Sequence, residues 1–267
     1  MRTTLHGVLV ATALLAAPLA GPAQAQAIVP GFDSFTLPAN DDGSTGSVAL
    51  GFGFNFYGSS YSNAFVNNNG NITFDSALST FTPFPLLTTN RVIIAPFFAD
   101  VDTRGAGSGL VSYGTGTFGS QPAFGVNWPD VGYFSNGVDK LNDFQLLLVD
   151  RSDIGAGDAD IYFNYGAMQW ETGDASGGSN GLGGSCARAG FSNGINVAYE
   201  LAGSATCSAL IDGGANALNT ASNIGAPGRQ LFQVRNGTVV NVEVPEPASL
   251  ALLGIGLAAL GVARRRR

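Results

Sequence analysis

Val92-Ile93-Ile94-Ala95-Pro96-Phe97-Phe98-Ala99-Asp100-Val101-Asp102-Thr103-Arg104 begins as a buried strand and ends as an acidic turn. The apolar run Val92 to Ala95 lacks polar alternation, so both of its faces should be covered. Pro96 removes a backbone donor and limits pairing at that point. Asp100 and Asp102 share a side if the backbone stays extended, because strand side chains alternate with period two. This makes them candidates for a surface contact, with Arg104 in reach of either.

The rest of the chain supplies more strands. Leu50, Phe52, Phe54 and Phe56 alternate with small residues and define one strand face. Asn69-Gly70 marks a tight turn between Phe65-Val66 and Ile72-Thr73-Phe74. Ala123 to Trp128 reads as a strand stopped by Pro129, with an aromatic loop after it. Asp143 to Asp150 reads as a central strand, and Ala159 to Tyr165 places Ile161 and Phe163 inward with Tyr162 and Asn164 outward. Gly173 to Gly184 reads as an exposed, mobile loop. Ser208 to Ser222 is the one stretch with helical character, interrupted by Gly213-Gly214. Gln230 to Arg235 and Thr238 to Val242 form a hairpin across Asn236-Gly237. Many short strands with almost no helix predict an all-β fold, a two-layer β-sandwich of mostly antiparallel strands.

Both ends read as processing segments. Arg2, the apolar run Val8 to Ala20 and the small-x-small site Ala23-Gln24-Ala25 predict a signal peptide over 1–25, cut between Ala25 and Gln26. At the other end Val244-Pro245-Glu246-Pro247 precedes an apolar run, Ala248 to Ala263, closed by four arginines. The run is a little short for an ordinary spanning helix, and the arginines orient it with the body outside. This segment is similar to the PEP-CTERM sorting signal, with Pro245, Glu246 and Pro247 as its motif. The resemblance implies an exosortase-type processing protease as a partner and transient anchoring in the inner membrane of a Gram-negative-type bacterium. It further implies delivery to the envelope, cell surface or extracellular space. The alternative is a plain C-terminal anchor that is never cut.

These ends bracket a lead-in, 26–47, and one domain, 48–243, followed by the sorting segment, 244–267. Without Arg2 and the four closing arginines, seven basic residues face 19 acidic ones, a net charge of −12. Such a body repels polyphosphates, which excludes nucleic acid and anionic membrane as partners of the domain. Cys186 and Cys207 are the two cysteines, and in an exported chain they are expected to pair; the alternative is two buried thiols.

The middle of the chain resembles the nidogen-like extracellular domain of matrix and cell-surface proteins. The resemblance rests on Phe56-Tyr57-Gly58, Asn67 to Gly70, Ala95 to Asp102, Val126-Asn127-Trp128, Phe144-Gln145-Leu146, Phe163-Asn164-Tyr165, Gln169-Trp170 and Ala187 to Phe191, with its core at about 94–191. Phe98 stands where that family often has Trp. The resemblance implies adhesion or matrix assembly, with extracellular polysaccharide or a matrix or surface protein as partner, and no catalytic residues.

The residues themselves narrow the chemistry. The one histidine, His6, lies in the leader, so the mature body has none. That excludes Ser-His-Asp and Cys-His nucleophiles and His-ligated zinc or copper. Carboxylate pairs such as Asp100 with Asp102, or Asp158 with Asp160, leave a hydrolase as a remote alternative. No cofactor is expected except calcium. The loop from Asp150 to Asp160 offers Asp150, Asp153, Asp158 and Asp160 as hard oxygen ligands. Its simpler reading is a hydrated turn with Arg151 offsetting charge. Tyr57, Tyr61, Trp128, Tyr133, Tyr162 and Trp170 would serve a lectin-like module as a sugar-stacking platform, or fill the core.

Overall fold

The computed structural model describes residues 27–241. The Ala25/Gln26 junction, the Pro245-Glu246-Pro247 motif and the apolar segment behind it lie outside the described residues. Among the described residues no helix is long and apolar enough to cross a membrane.

Among the described residues fourteen strands follow in chain order: β1 (Phe35–Thr36), β2 (Val48–Phe56), β3 (Ser59–Asn67), β4 (Asn71–Thr73), β5 (Val92–Phe98), β6 (Val101–Asp102), β7 (Ser112–Phe118), β8 (Gln121–Tyr133), β9 (Gly137–Asp150), β10 (Ala159–Met168), β11 (Arg188–Asn193), β12 (Ala198–Glu200), β13 (Arg229–Arg235) and β14 (Thr238–Asn241). They make two antiparallel sheets. The larger runs β1-β7-β8-β9-β10-β13-β14, with β6 added beside β8; the smaller runs β12-β11-β5-β4-β3-β2. The two-layer sandwich expected from the sequence is the observed architecture.

The opening stretch shows why. On β5, Ile94 and Phe97 enter the core between the sheets, where they join Phe54, Ile72, Phe144, Phe163 and Trp170. Ile93, Ala95 and Phe98 point the other way and pack under Leu78, Leu86 and Phe84. Both faces of β5 are covered, as its unbroken apolar run requires. Pro96 falls where the β11–β5 register shifts between Arg188 and Gly190. Its carbonyl accepts the buried Tyr165 hydroxyl at 2.8 Å.

The larger sheet is also covered outside. Val29 and Phe32, in the stretch read as a lead-in, pack on Ala123, Leu147 and Val149. Gln145 Nε2 donates to the Val29 carbonyl at 2.7 Å, and Arg229 Nη2 to that of Ala27 at 2.6 Å. Residues 27–36 are thus a strap that belongs to the fold. It explains why Asn164, expected to face outward, is fully buried.

Other expectations are corrected. Pro129 does not stop its strand: β8 runs on to Tyr133, because the register shifts between Trp128 and Val131 and Pro129 falls within that bulge, where no ladder donor is required. Residues 208–222 form successive turns, not a helix. A Cβ on Gly214 would lie 2.2 Å from the Ser208 carbonyl, so that chain folds back too tightly for helix. The stretch Gly173 to Gly184 is largely exposed, as expected, but Gly173, Ser176 and Gly181 are buried. Its glycines allow close approach, since a Cβ on Gly178 would sit 2.2 Å from Thr172 Cγ2.

Candidate functional site

The acidic end of the opening stretch does not reach the surface. Asp100 is 1 % exposed and Asp102 fully buried, which corrects their assignment as surface contacts. The cause is a cover made by residues 40–46 and the β3–β4 turn. Thr103 N donates to the Asn40 carbonyl at 2.9 Å, and Asn68 N to that of Gly43 at 2.9 Å. Asn69 Oδ1 accepts Val101 N at 2.9 Å, and Asn68 Nδ2 donates to the carbonyls of Asp41 and Val101, both at 2.6 Å. Asn67, Asn68, Asn69 and Asn71 are buried. Their amides replace the pairing that strands supply elsewhere.

Four carboxylates, Asp41, Asp42, Asp100 and Asp102, meet here with one arginine. Arg104 binds Asp102 through Nε at 2.9 Å and Nη2 at 2.7 Å, and reaches Asp41 Oδ2 at 3.0 Å. Burial alone would raise the Asp102 carboxyl. The hydrogen bonds from Arg104 and the Asn136 amide outweigh it and hold the group below its ordinary value. Asp41 is pushed up to about 6, by burial first and then by Asp102 and Asp42. Asp100 is pushed up to about 7, by burial first and then by Asp41, Asp42 and Asp102. Neither Asp100 oxygen has a hydrogen-bond partner, and neither does Asp41 Oδ1 or Asn68 Oδ1, although all four atoms are buried. Asp41, Asp42 and Asp100 offer carboxylate oxygens all within 4.8 Å of one another.

A second cluster, Glu171 with Cys186 and Cys207, is closed to metals. The cysteines form the expected bridge, with Cα atoms 5.3 Å apart. The Glu171 oxygens accept Gly183 N at 3.1 Å and Ser208 N at 2.6 Å.

The 150–160 loop does not gather its acids around an ion. Arg151 holds Asp160 at 2.7 Å and Asp153 at 3.0 Å, and Arg235 takes the other Asp160 oxygen at 2.6 Å. Asp150 accepts Ser152 N and Oγ, both at 2.9 Å, and Asp158 accepts Asn236 N at 2.8 Å. Arginines and turn amides occupy these carboxylates; Arg151 offsets their charge as the turn reading expects, but Asp150, Asp158 and Asp160 are buried, so protein groups take the place of water there.

The aromatics sort the same way. Trp128, Trp170 and Tyr133 are buried, and Tyr57, Tyr61 and Tyr162 are half-buried against apolar clusters. Both indoles are satisfied inside: Trp128 Nε1 donates to the Asn68 carbonyl and Trp170 Nε1 to that of Val131, each at 2.9 Å. They build core, not a stacking platform. The exposed aromatic surface lies elsewhere. Phe35 is 61 % exposed and stacks on Tyr113 with centroids 5.6 Å apart. The pair borders a groove of about 370 Å³ that Val48, Ala49 and Phe124 also line. An isolated Phe between Ser34 and Thr36 carries no periodic signal, so sequence alone did not single it out.

The asparagine-rich turn over its acidic corner, and the sandwich from β1 to β12, lie within the stretch, residues 24–226, that matches the family described as NIDO related; β13 and β14 follow it. The chain belongs to the NIDO-related family. Residues 243–267 match the PEP-CTERM protein-sorting motif, which implies exosortase processing and an exported, cell-surface protein. The chain is 33 % identical to alpha-tectorin of Mus musculus over 222 residues, 74 % of this chain and 10 % of that protein. Nidogen of Drosophila melanogaster is 30 % identical over 230 residues, 75 % of this chain and 16 % of the relative. The chain therefore spans roughly a tenth to a sixth of the length of these curated relatives. No solved structure matches it.

Proposed function

We propose that this NIDO-related domain is a non-catalytic adhesive module. A bacterium exports it behind a leader ending at Ala25, and an exosortase releases it near Pro245-Glu246-Pro247 into the extracellular polysaccharide or matrix. The observation that carries this reading is the joining of a NIDO-related body, residues 24–226, to a sorting motif, residues 243–267, in one chain. The absence of histidine from the mature body supports it.

The test is fractionation of the producing cells. The protein is expected among extracellular polymers, shortened at both ends, while replacement of Pro245, Glu246 and Pro247 by Ala retains it with the membranes. Full-length wild-type protein found in membranes alone would refute the reading.

One observation favours a lectin-like alternative, the exposed Phe35–Tyr113 stack beside its groove. A ring pair of this kind suits the apolar face of a sugar. Binding on a glycan array that disappears in Phe35→Ala would select this alternative.

A further inference from the structure

We propose that Asp41, Asp42 and Asp100, with the side-chain oxygen of Asn68, form a calcium site that ties the 40–46 loop to the segment after β5.

Three lines of geometry lead there. The first is spacing. Calcium takes oxygen ligands at about 2.3–2.6 Å, so ligands on opposite sides of one ion lie roughly 4.6–5.2 Å apart. The three carboxylates bring oxygens within 4.8 Å of one another, a set one ion can bridge.

The second is the unmet demand of buried atoms. Asp100 is 1 % exposed with both oxygens unpartnered, and Asn68 is fully buried with its Oδ1 unpartnered. A carboxylate so placed is costly, because nothing in the protein replaces the water it gave up. Protonation removes only part of the difficulty. One proton supplies one donor, whereas four buried oxygens of Asp41, Asn68 and Asp100 are unpartnered. A cation answers several of them at once.

The third is charge. Arg104 is committed to Asp102 and to one Asp41 oxygen, which leaves Asp100, Asp42 and the Asp41 Oδ1 facing one another without a counter-charge. All the donors are hard oxygens, and no nitrogen or sulfur ligand stands among them, which suits calcium over transition metals. Asp41 and Asp42 are half-buried, so the site opens toward solvent on their side, where waters complete the shell. The members are 59 residues apart in sequence, and the ion joins two segments that otherwise meet through asparagine amides and Arg104. This inference rests on the geometry of the corner and stands or falls apart from the matrix reading.

The experiment uses the full chain in mild detergent, stripped with EGTA. Thermal unfolding is followed as CaCl2 is added, and TbCl3 is titrated while tryptophan is excited. Trp128 donates to the Asn68 carbonyl at 2.9 Å and serves as antenna. A saturable rise in Tm is expected at or below millimolar calcium, together with terbium emission that calcium displaces. Asp100→Asn should weaken both responses at least about tenfold. Asp42→Asn, at the half-buried rim, should do the same and serves where the deeper variant fails to fold. Asp153→Asn, on the 150–160 loop, should leave both responses intact. A wild-type Tm indifferent to calcium would overturn the proposal. So would a response that survives in Asp42→Asn and Asp100→Asn, or one that magnesium reproduces at equal concentration.

Discussion

Removing the Cys186–Cys207 bridge probes a clamp made of two parts. The cysteines stand 21 positions apart, and β11 and β12 lie between them. Closing a loop of that length in the unfolded chain corresponds to about 3 kcal/mol in the chain-entropy account. The same loop has a second, non-covalent tie. Buried Glu171 accepts Gly183 N, three residues before Cys186, and Ser208 N, one residue after Cys207. Hydrogen bonds to a charged group contribute about 1.5–3 kcal/mol each side-chain deletion. Once the bridge is gone, Glu171 and the Ala205 N bond to the Ala187 carbonyl hold the loop mouth, so loss of Glu171 should cost more than in the oxidised protein. The assay is urea unfolding of wild type, the Cys186→Ala/Cys207→Ala variant, Glu171→Gln and the triple variant. The cysteine variant should lose about 3 kcal/mol. The cycle should show a coupling of about 1 kcal/mol. A cysteine loss below about 1 kcal/mol would refute the loop-entropy argument. Losses that add to within about 0.5 kcal/mol would refute the shared clamp.

Two further outcomes follow from single residues. A Cβ on Gly70 would lie 1.7 Å from the Phe97 carbonyl oxygen, at a φ of +72°. Gly70→Ala should therefore cost about 3 kcal/mol or more in denaturant unfolding, whereas Gly53→Ala, with open space around its Cβ, should change little. Asp143 is pushed up to about 6, by burial and then by Asp130. A carboxyl raised in the folded state stabilises most below its unfolded pKa of 3.8, and that contribution is lost as pH rises through about 6. Asp143→Asn should thus gain stability over wild type at pH 7 and not at pH 3.5; a difference independent of pH would contradict the assignment.

Where the sequence was readable, local periodicity matched the side of the chain that packs. Ile161 and Phe163 do face the core, and the unbroken run at β5 is covered twice. Asn236-Gly237 makes its turn with φ values of +50° and +76°. Phe52 is only partly buried because Gly51, at φ +88°, bulges β2 and turns the alternation at that point. What stayed hidden is non-local. Val29 and Phe32 are two apolar residues in an irregular stretch, and nothing near them announces the sheet face they cover. Asp41 and Asp42 sit in a loop that reads as solvated until β5 and the β3–β4 turn bring Asp100 beneath it. Acids of the 150–160 loop drew attention by clustering in sequence, yet Arg235, from a strand some 75 residues later, helps neutralise them. Glycines of 173–184 announced an exposed segment, but not the close approach of Gly178 to Thr172.

The last described strand has a bearing on processing at the sorting motif. β14 runs through the last described residue, Asn241, and among the described residues it pairs with β13. Four steps of chain separate Asn241 from Pro245, a reach of at most ~14 Å. An exosortase that engages the motif would work within that reach of the paired hairpin. Either its cleft is shallow enough to accept that hairpin, or the terminal arm must peel away first. On that second course the pairing of β13 with β14 would set how readily an exosortase could cut.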